Sequence, residues 1–405
     1  MINHSIRIAC AAAVTLLAAA TGSAQTAAPT PPAPAFVIES ANGDNRLQLG
    51  VLVQFDGRFT ADRPASPTAD TFLARRVRPI FQGRVARNFD YFFVLDLAAV
   101  PYVRDAYFDT RVSDAFRIRA GKTKVPLGLE RLHFANVLLF VERGFPTALT
   151  PDRDIGLHVL GDVAGRRVFY TVAVLNGGTD GSNVEVDGDD GKDVAGRLVV
   201  SPWIASPDHV LAGLGVGIAA TAGHAGSALP VIRAANQQVI FEYGAGATGD
   251  GRRTRMSPQA FFYRGPFGSF AEYVTSEGGI RRSGITTEVG HAAWQVAASW
   301  VLTGERATER GVRPRVNFDA AARRFGAVQL AARYHAFRID DEGVARGLAA
   351  PGSSRGADAV TLGVNWYLSP FVKWVANVER ITYQDTAGVR RPADTALLLR
   401  GQLSF

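Results

Sequence analysis

The sequence predicts an all-β chain, a transmembrane antiparallel β-barrel of about sixteen to eighteen strands. Three observations predict it. An export signal is followed by no apolar stretch long enough to be a membrane helix. Apolar and polar residues then alternate over long runs. The chain closes on an alternating strand whose last residue is Phe405.

The N-terminus has one positive residue, Arg7, then an apolar run from Ile8 to Ala20 and the small residues Gly22, Ser23 and Ala24. This is the pattern of a signal peptide over residues 1–24, and it is set aside from the fold. The run is too short to cross a bilayer as a helix, which takes ~20 apolar residues. Cys10, the only cysteine, lies inside it, so the mature chain has no disulfide, thiol nucleophile or cysteine metal site. Residues 25–44 contain Pro29, Pro31, Pro32 and Pro34 and read as a flexible Pro/Ala-rich periplasmic lead-in. The barrel is expected over 45–405.

The first strand shows the pattern most clearly. Leu47, Leu49, Val51, Val53, Phe55 and Phe59 fall on one face, and Arg46, Gln48, Gln54, Asp56 and Arg58 on the other, because successive strand side chains point to opposite sides. The next strand sets Leu73, Val77, Phe81 and Val85 against Arg76, Arg78, Gln82 and Arg84. Arg75 falls on the apolar parity, which marks a bulge or an interface position. Phe89, Tyr91, Phe93, Leu95 and Leu97 then oppose Asp90 and Asp96. A soluble sandwich would alternate in the same way. Strand length separates the two, since several runs exceed ten residues and approach what a tilted membrane strand needs. Short turns are expected at 87–90, 113–115, 164–167, 265–267 and 369–371. Longer loops are expected near 60–71, 121–154, 177–192, 223–253, 338–357 and 385–394. Trp366, Tyr367 and Trp374 flank the last turn and suit an aromatic girdle. In the final strand, Leu397, Leu399, Leu403 and Phe405 oppose Arg400, Gln402 and Ser404. Bacterial barrels end in this way, on a strand that the barrel assembly machinery reads.

Other chemistries find no support. Gly244-Ala-Gly246-Ala-Thr-Gly249 matches a dinucleotide fingerprint, but Arg252 and Arg253 follow where a helix should begin. Gly121-Lys122-Thr123 lacks the first glycine of a phosphate loop. His133, His158, His209, His224, His291 and His335 are scattered, with no nucleophile motif beside them, so neither an enzyme nor a cofactor or metal centre is expected. Asp180, Glu185, Asp187, Asp189 and Asp190 read as a solvated loop before they read as a divalent-cation site. The formal charge is +7, or +6 once Arg7 leaves with the signal. An exported chain meets little nucleic acid, so no such partner is expected.

Ten segments, in order, resemble one family, the phosphate-selective porins O and P. They are Phe72-Leu-Ala-Arg-Arg76, Asp105-Ala-Tyr107, Gly121-Lys-Thr-Lys-Val-Pro126, Val141-Glu-Arg143, Asp152-Arg-Asp-Ile-Gly156, Leu175-Asn-Gly177, Trp300-Val-Leu-Thr-Gly-Glu305, Ala331-Ala-Arg-Tyr334, Leu362-Gly-Val-Asn-Trp-Tyr367 and Arg400-Gly-Gln-Leu-Ser-Phe405. The resemblance implies a sixteen-stranded barrel in the bacterial outer membrane, a homotrimer, and a third loop folded inward to narrow the pore. It also implies passive diffusion of anions, phosphate or polyphosphate first, past arginines and lysines, with outer-membrane lipid and lipopolysaccharide around the barrel.

On the residues themselves, Arg46, Arg58, Arg76, Arg78 and Arg84 share lumen-facing parity, and the third loop adds Lys122, Lys124, Arg131, Arg143 and Arg153. Rings of lumen cations favour anions, and the planar arginine fork matches phosphate oxygens. Asp96 on the same face is expected to repel an anion and keep its residence short. The opposing reading is that Asp56, Asp90, Asp96, Asp105 and Asp109 neutralise the arginines. The chain has four lysines, Lys122, Lys124, Lys192 and Lys373, so the lysine-rich outer funnel that the resemblance implies is thin here. The alternatives are a general or small-organic-acid porin, an outer-membrane hydrolase, and a purely structural barrel.

Overall fold

The computed structural model describes residues 36–61, 69–98, 100, 102–185, 190–226, 228–340, 343, 346–384 and 391–405. The expected signal peptide and most of the lead-in lie outside them. Val37–Glu39, at the end of that lead-in, form a short strand, β1, paired with the first barrel strand.

The barrel strands run in chain order as β2 (Arg46–Thr60), β3 (Thr71–Val85), β4 (Phe89–Asp96), β5 (Tyr102–Ser113), β6 (Phe116–Lys124), β7 (Arg153–Val163), β8 (Val168–Leu175), β9 (Asp193–Val200) and β10 (Leu214–His224). Two short strands, β11 (Ile232–Arg233) and β12 (Val239–Phe241), pair with each other. Then come β13 (Thr248–Arg264), β14 (Phe267–Arg282) and β15 (Ile285–Val301), the short pair β16 (Ala307–Thr308) and β17 (Gly311–Val312), and β18 (Ala327–Ile339), β19 (Gly356–Tyr367), β20 (Val372–Tyr383) and β21 (Asp394–Ser404). Apart from β1, the strands of the large sheet form a closed sixteen-stranded antiparallel barrel. β21 seals it against β2, from Leu52↔Ser404 to Thr60↔Ala396. Val51 and Phe405 exchange both backbone hydrogen bonds, at 3.0 and 3.1 Å. Closure leaves no open sheet edge, which is the condition for backbone that crosses lipid.

The alternation points the way a membrane requires. On β2, Phe55 is 60% exposed while its neighbour Gln54 is fully buried, and on β19 Leu362 is 59% exposed beside a fully buried Thr361. The apolar face looks outward and the polar face inward, the reverse of a soluble sandwich.

Two local departures from simple parity have visible causes. The β2–β3 register passes from Gln54↔Arg76 to Phe55↔Ala74, leaving Arg75 as the extra residue of a bulge. Beyond it the faces exchange, so Phe72 is the outward residue at 79% exposure, and Leu73, expected on the apolar face, sits opposite the lumen residue Asp56. In the expected girdle, Trp374 faces out, but Tyr367 is buried inside and bonds Gln329 (2.9 Å), because it sits one position from Trp366.

All five expected short turns occur, at 86–88, 114–115, 164–167, 265–266 and 368–371. The connections expected as loops follow the other ends of the strands, after β2, β6, β8, β10, β18 and β20. The hairpin between β14 and β15 departs from that division. It closes at the loop end through Ser283 (φ 51°) and Gly284 (φ 81°), the left-handed pair of a tight hairpin turn. The glycine string at 244–249 runs from loop into β13, with no helix.

Candidate functional site

The third loop, 125–152, folds into the lumen. It holds one turn of helix, α1 (Leu129–Leu132), and a short 3-10 helix, Phe145–Leu149. Leu127, Leu129, Phe140, Val141, Phe145 and Leu149 are buried, so an extended surface loop would leave an apolar set in water. The far wall supplies polar partners. The Glu272 carboxylate of β14 accepts the backbone N–H groups of Leu129 (2.5 Å) and Glu130 (3.2 Å). Gln54 of β2 donates to the Ala135 carbonyl (3.1 Å), Lys373 of β20 to Leu138 (3.0 Å) and Asn365 of β19 to Leu139 (2.9 Å). Asn377 accepts from Val141 N (2.7 Å). The loop thus leaves the wall between β6 and β7 and crosses to the β2 and β19–β20 side.

Ion pairs fix it there, and they consume many of the arginines expected to carry anions. Glu142 of the loop takes Arg58 (2.7 Å) and the bulged Arg75 (3.1 Å). Asp152 takes Arg104 (2.6 Å), Arg153 (2.5 Å) and Arg131 (3.5 Å), and Arg153 also reaches Asp105 (3.2 Å). Arg78 is held by Asp96 (2.7 Å) and Arg84 by Asp90 (3.1 Å). Lys122 pairs with Glu185 (2.6 Å). Asp96 is therefore not a free repelling charge, since its partner is Arg78 and it also accepts from the Val77 and Ala98 backbone (3.4 Å each). For Asp56, Asp90, Asp96, Asp105 and Asp109 the neutralising reading holds, with Asp56 on Arg400 (2.7 Å) and Asp109 on Arg119 (2.7 Å). In the acidic loop, Asp180 is buried against Arg255 (2.5 Å) and Ser276 (2.6 Å), while Asp187 and Asp189 lie outside the described residues.

Four of the expected cations have no carboxylate partner among the described residues. Arg46 sits at the turn end of β2. Arg76 is buried and donates to Gln54 Oε1 (2.6 Å). Lys124 donates to the carbonyls of Leu132 (2.9 Å) and His133 (2.8 Å), and Arg143 to those of Glu130 (3.1 Å) and His133 (2.9 Å). The last two converge on the end of α1, where cations stabilise unpaired carbonyls. Both cations thus have a structural duty in holding the loop. Arg197 of β9, Lys373 and Arg400 were not among the cations that the sequence reading assigned to the anion path. Arg197 and Lys373 also lack a carboxylate partner, Arg197 donating twice to Gln259 Oε1 (3.2 and 2.9 Å). Strand parity on β9 would have found Arg197.

Electrostatics of the loop follow from this crowding. Burial alone would raise Glu142 and Asp152. The surrounding guanidiniums, Arg75 and Arg58 for one and Arg153, Arg131 and Arg104 for the other, hold both well below the ordinary carboxylate range. Burial lowers His133 to about 4; Glu130 opposes the shift, and Lys124 and Arg143 add to it. The unfolded chain then binds more protons than the folded one between about pH 6.5 and 4. The stability that His133 contributes is complete above that window and is lost as pH falls through it. Thermal unfolding is expected to move down on acidification, and His133→Gln is expected to flatten the dependence across this interval. An unchanged profile in the variant would remove His133 from the account.

The lumen is not equally open all round. On the β14–β20 side, Val274, Ile280, Val289, Phe337, Ile339 and Ile381 point inward and pack against Phe145, Leu149 and the β11–β12 hairpin of the fifth loop, whose Ile232, Ile240 and Phe241 are fully buried. From the turn end, the 302–326 connection also folds in. Its Ala307 and Val312 pack with Val301, Ala327 and Tyr367, and Gly311 lies against Val137 of the third loop. A cavity of about 210 Å³ lies between the third loop and the β4–β9 wall, bordered by Phe92, Tyr107, Arg119, Lys124, Phe134, His158, Phe169 and Arg197.

The model of the phosphate-selective porin O and P family matches residues 47–405. Among solved structures, the fold is similar to OmpT, an outer membrane protein of Vibrio cholerae (TM-score 0.58, 10% identity, covering 91% of this chain and 99% of that one). It is also similar to the outer membrane channel DcaP of Acinetobacter baumannii (0.57, 12%, 91% and 99%), and to an anion-selective porin from Comamonas acidovorans (0.55, 11%, 89% and 100%). At these identities the likeness is one of fold. Comparison with curated protein sequences gives no match.

Proposed function

The chain belongs to the phosphate-selective porin O and P family and is an outer-membrane porin, and from that premise we propose that it passes small anions by passive diffusion. One observation carries the sign of the selectivity. At the third loop, Arg76, Lys124, Arg143, Arg197 and Lys373 have no carboxylate within ion-pair distance among the described residues, whereas Asp96, Asp105, Glu142 and Asp152 are paired with arginines and Glu272 is held by backbone N–H groups and Gln295. A low-dielectric passage with fixed positive charge concentrates anions and excludes cations. Conduction needs binding weak enough to release, and cations already hydrogen-bonded to carbonyls or amides meet that requirement.

Phosphate is proposed as one of the conducted ions, on the strength of the family. The guanidinium forks of Arg119 and Arg400 are both closed on carboxylates, so the phosphate contacts fall to the cations left unneutralised. A homotrimer is proposed as the working assembly, a trimer form being described for Vibrio cholerae OmpT. The test is the zero-current potential of the purified porin in a planar bilayer under a potassium chloride gradient, followed by added phosphate. Anion preference with a phosphate-dependent fall in chloride current is expected. Cation preference would overturn the reading, and anion preference without that fall would remove phosphate alone.

A further inference from the structure

The cavity between the third loop and the β4–β9 wall is lined differently from what a bare oxyanion needs. Phe134 is 57% exposed although it sits on a loop inside the barrel, and its ring lies 6.3 Å from that of Phe92. The ammonium of Lys124 stands 4.9 Å from the Phe134 ring centre, and the guanidinium of Arg197 stands 5.9 Å from that of Phe169. Each cation therefore borders an aromatic face, and neither has a carboxylate partner among the described residues. The other charges at this wall are spent: Arg119 forms a double hydrogen bond with Asp109 (2.7 and 2.9 Å), and Asp105 is taken by Arg153. His158 also lines the cavity; its side chain is 97% buried, at 3% exposure, and its Nε2 has no hydrogen-bond partner. A buried polar atom without a partner is costly unless something fills the role.

We propose that this cavity is a binding subsite for a carboxylate that carries a flat apolar body, such as an aromatic acid. Lys124 and Arg197 draw the carboxylate, and Phe92, Phe134 and Phe169 flank the body. An exposed aromatic wall gains nothing from hydrated phosphate, whereas a ring placed against it removes apolar surface from water. This assignment rests on the anion-pore reading and narrows its substrate class.

The experiment compares block of the chloride current by benzoate, acetate and phosphate in planar bilayers, at a pH of about 8, where both carboxylates are ionised. Benzoate is expected to block at a concentration about tenfold below that of acetate, the gain coming from partial burial of its ring. The pair Phe134→Ala and Phe169→Ala is expected to abolish that advantage while leaving acetate block and the zero-current potential unchanged. Phe134→Leu, which keeps apolar bulk and loses the ring, is the check should the double variant fail to fold. Equal potency of benzoate and acetate in the native porin would overturn the subsite, as would a benzoate advantage that survives both variants. A cation-selective zero-current potential would instead overturn the anion-pore reading, and the benzoate-to-acetate ratio from the same membranes would still decide the cavity.

Discussion

Asp152→Asn is expected to weaken the barrel by about 3 kcal/mol and to free the third loop. The native carboxylate gathers Arg104, Arg131 and Arg153 at the point where the loop rejoins β7, and all four side chains are buried. Asparagine keeps the size and one acceptor oxygen but leaves Arg104 and Arg131 buried without a carboxylate partner, while Arg153 retains Asp105. Removing one partner from a buried ion pair costs about 3–5 kcal/mol, because the charge left behind stays desolvated. The retained oxygen places the expected loss at the low end. Two measurements check it. Denaturant unfolding of the folded barrel should shift its midpoint downward, and single-channel records should show a larger, noisier conductance as the loop leaves the lumen. An unaltered midpoint together with an unaltered conductance would show that the cluster does not anchor the loop.

Arg197→Glu is expected to reduce the anion-to-cation permeability ratio by about thirtyfold or more. An ion passing ~4 Å from a unit charge in a water-like medium gains about 1 kcal/mol, and reversal doubles the change. Each 1.4 kcal/mol is a factor of about ten. Arg197 serves this test better than Arg78 or Arg153, because its hydrogen-bond partner Gln259 is neutral and no acid is left unpaired by the change. Arg78→Gln, which breaks a buried pair with Asp96 (2.7 Å), is expected to affect stability more than selectivity. The zero-current potential of both variants under one salt gradient separates the two effects. An Arg197→Glu porin with the native potential would place the selectivity elsewhere in the lumen.

Residue by residue, the strand faces were legible and the charge balance was not. Gln54, Asp56 and Arg58 face the lumen as the alternation of β2 requires, and the anomaly at Arg75 marked a real bulge. Period-two patterning reports which side of a sheet a side chain occupies, and nothing more. It could not tell that Glu142 would reach Arg58, 84 positions away, or that Arg400 would close on Asp56 across 344. It also missed the inward folding of the fifth loop and of the 302–326 connection. Their apolar residues, Ile232, Ile240, Phe241, Ala307 and Val312, carry no strand-length period and acquire a partner surface only inside a closed barrel.

The sequence by itself therefore determined the barrel, its turns, its outward apolar face and an excess of arginine inside. Each of these is a local property, repeated strand after strand and fixed by the pleat and by the need to satisfy every backbone group in lipid. Only the tertiary structure decided which positive charges remain to meet an anion. A charge is neutralised by whatever acid lies within a few ångströms, and here those acids arrive on a loop and on strands remote in the chain, so that Arg58, Arg78 and Arg153 are spent while Lys124 and Arg197 are not.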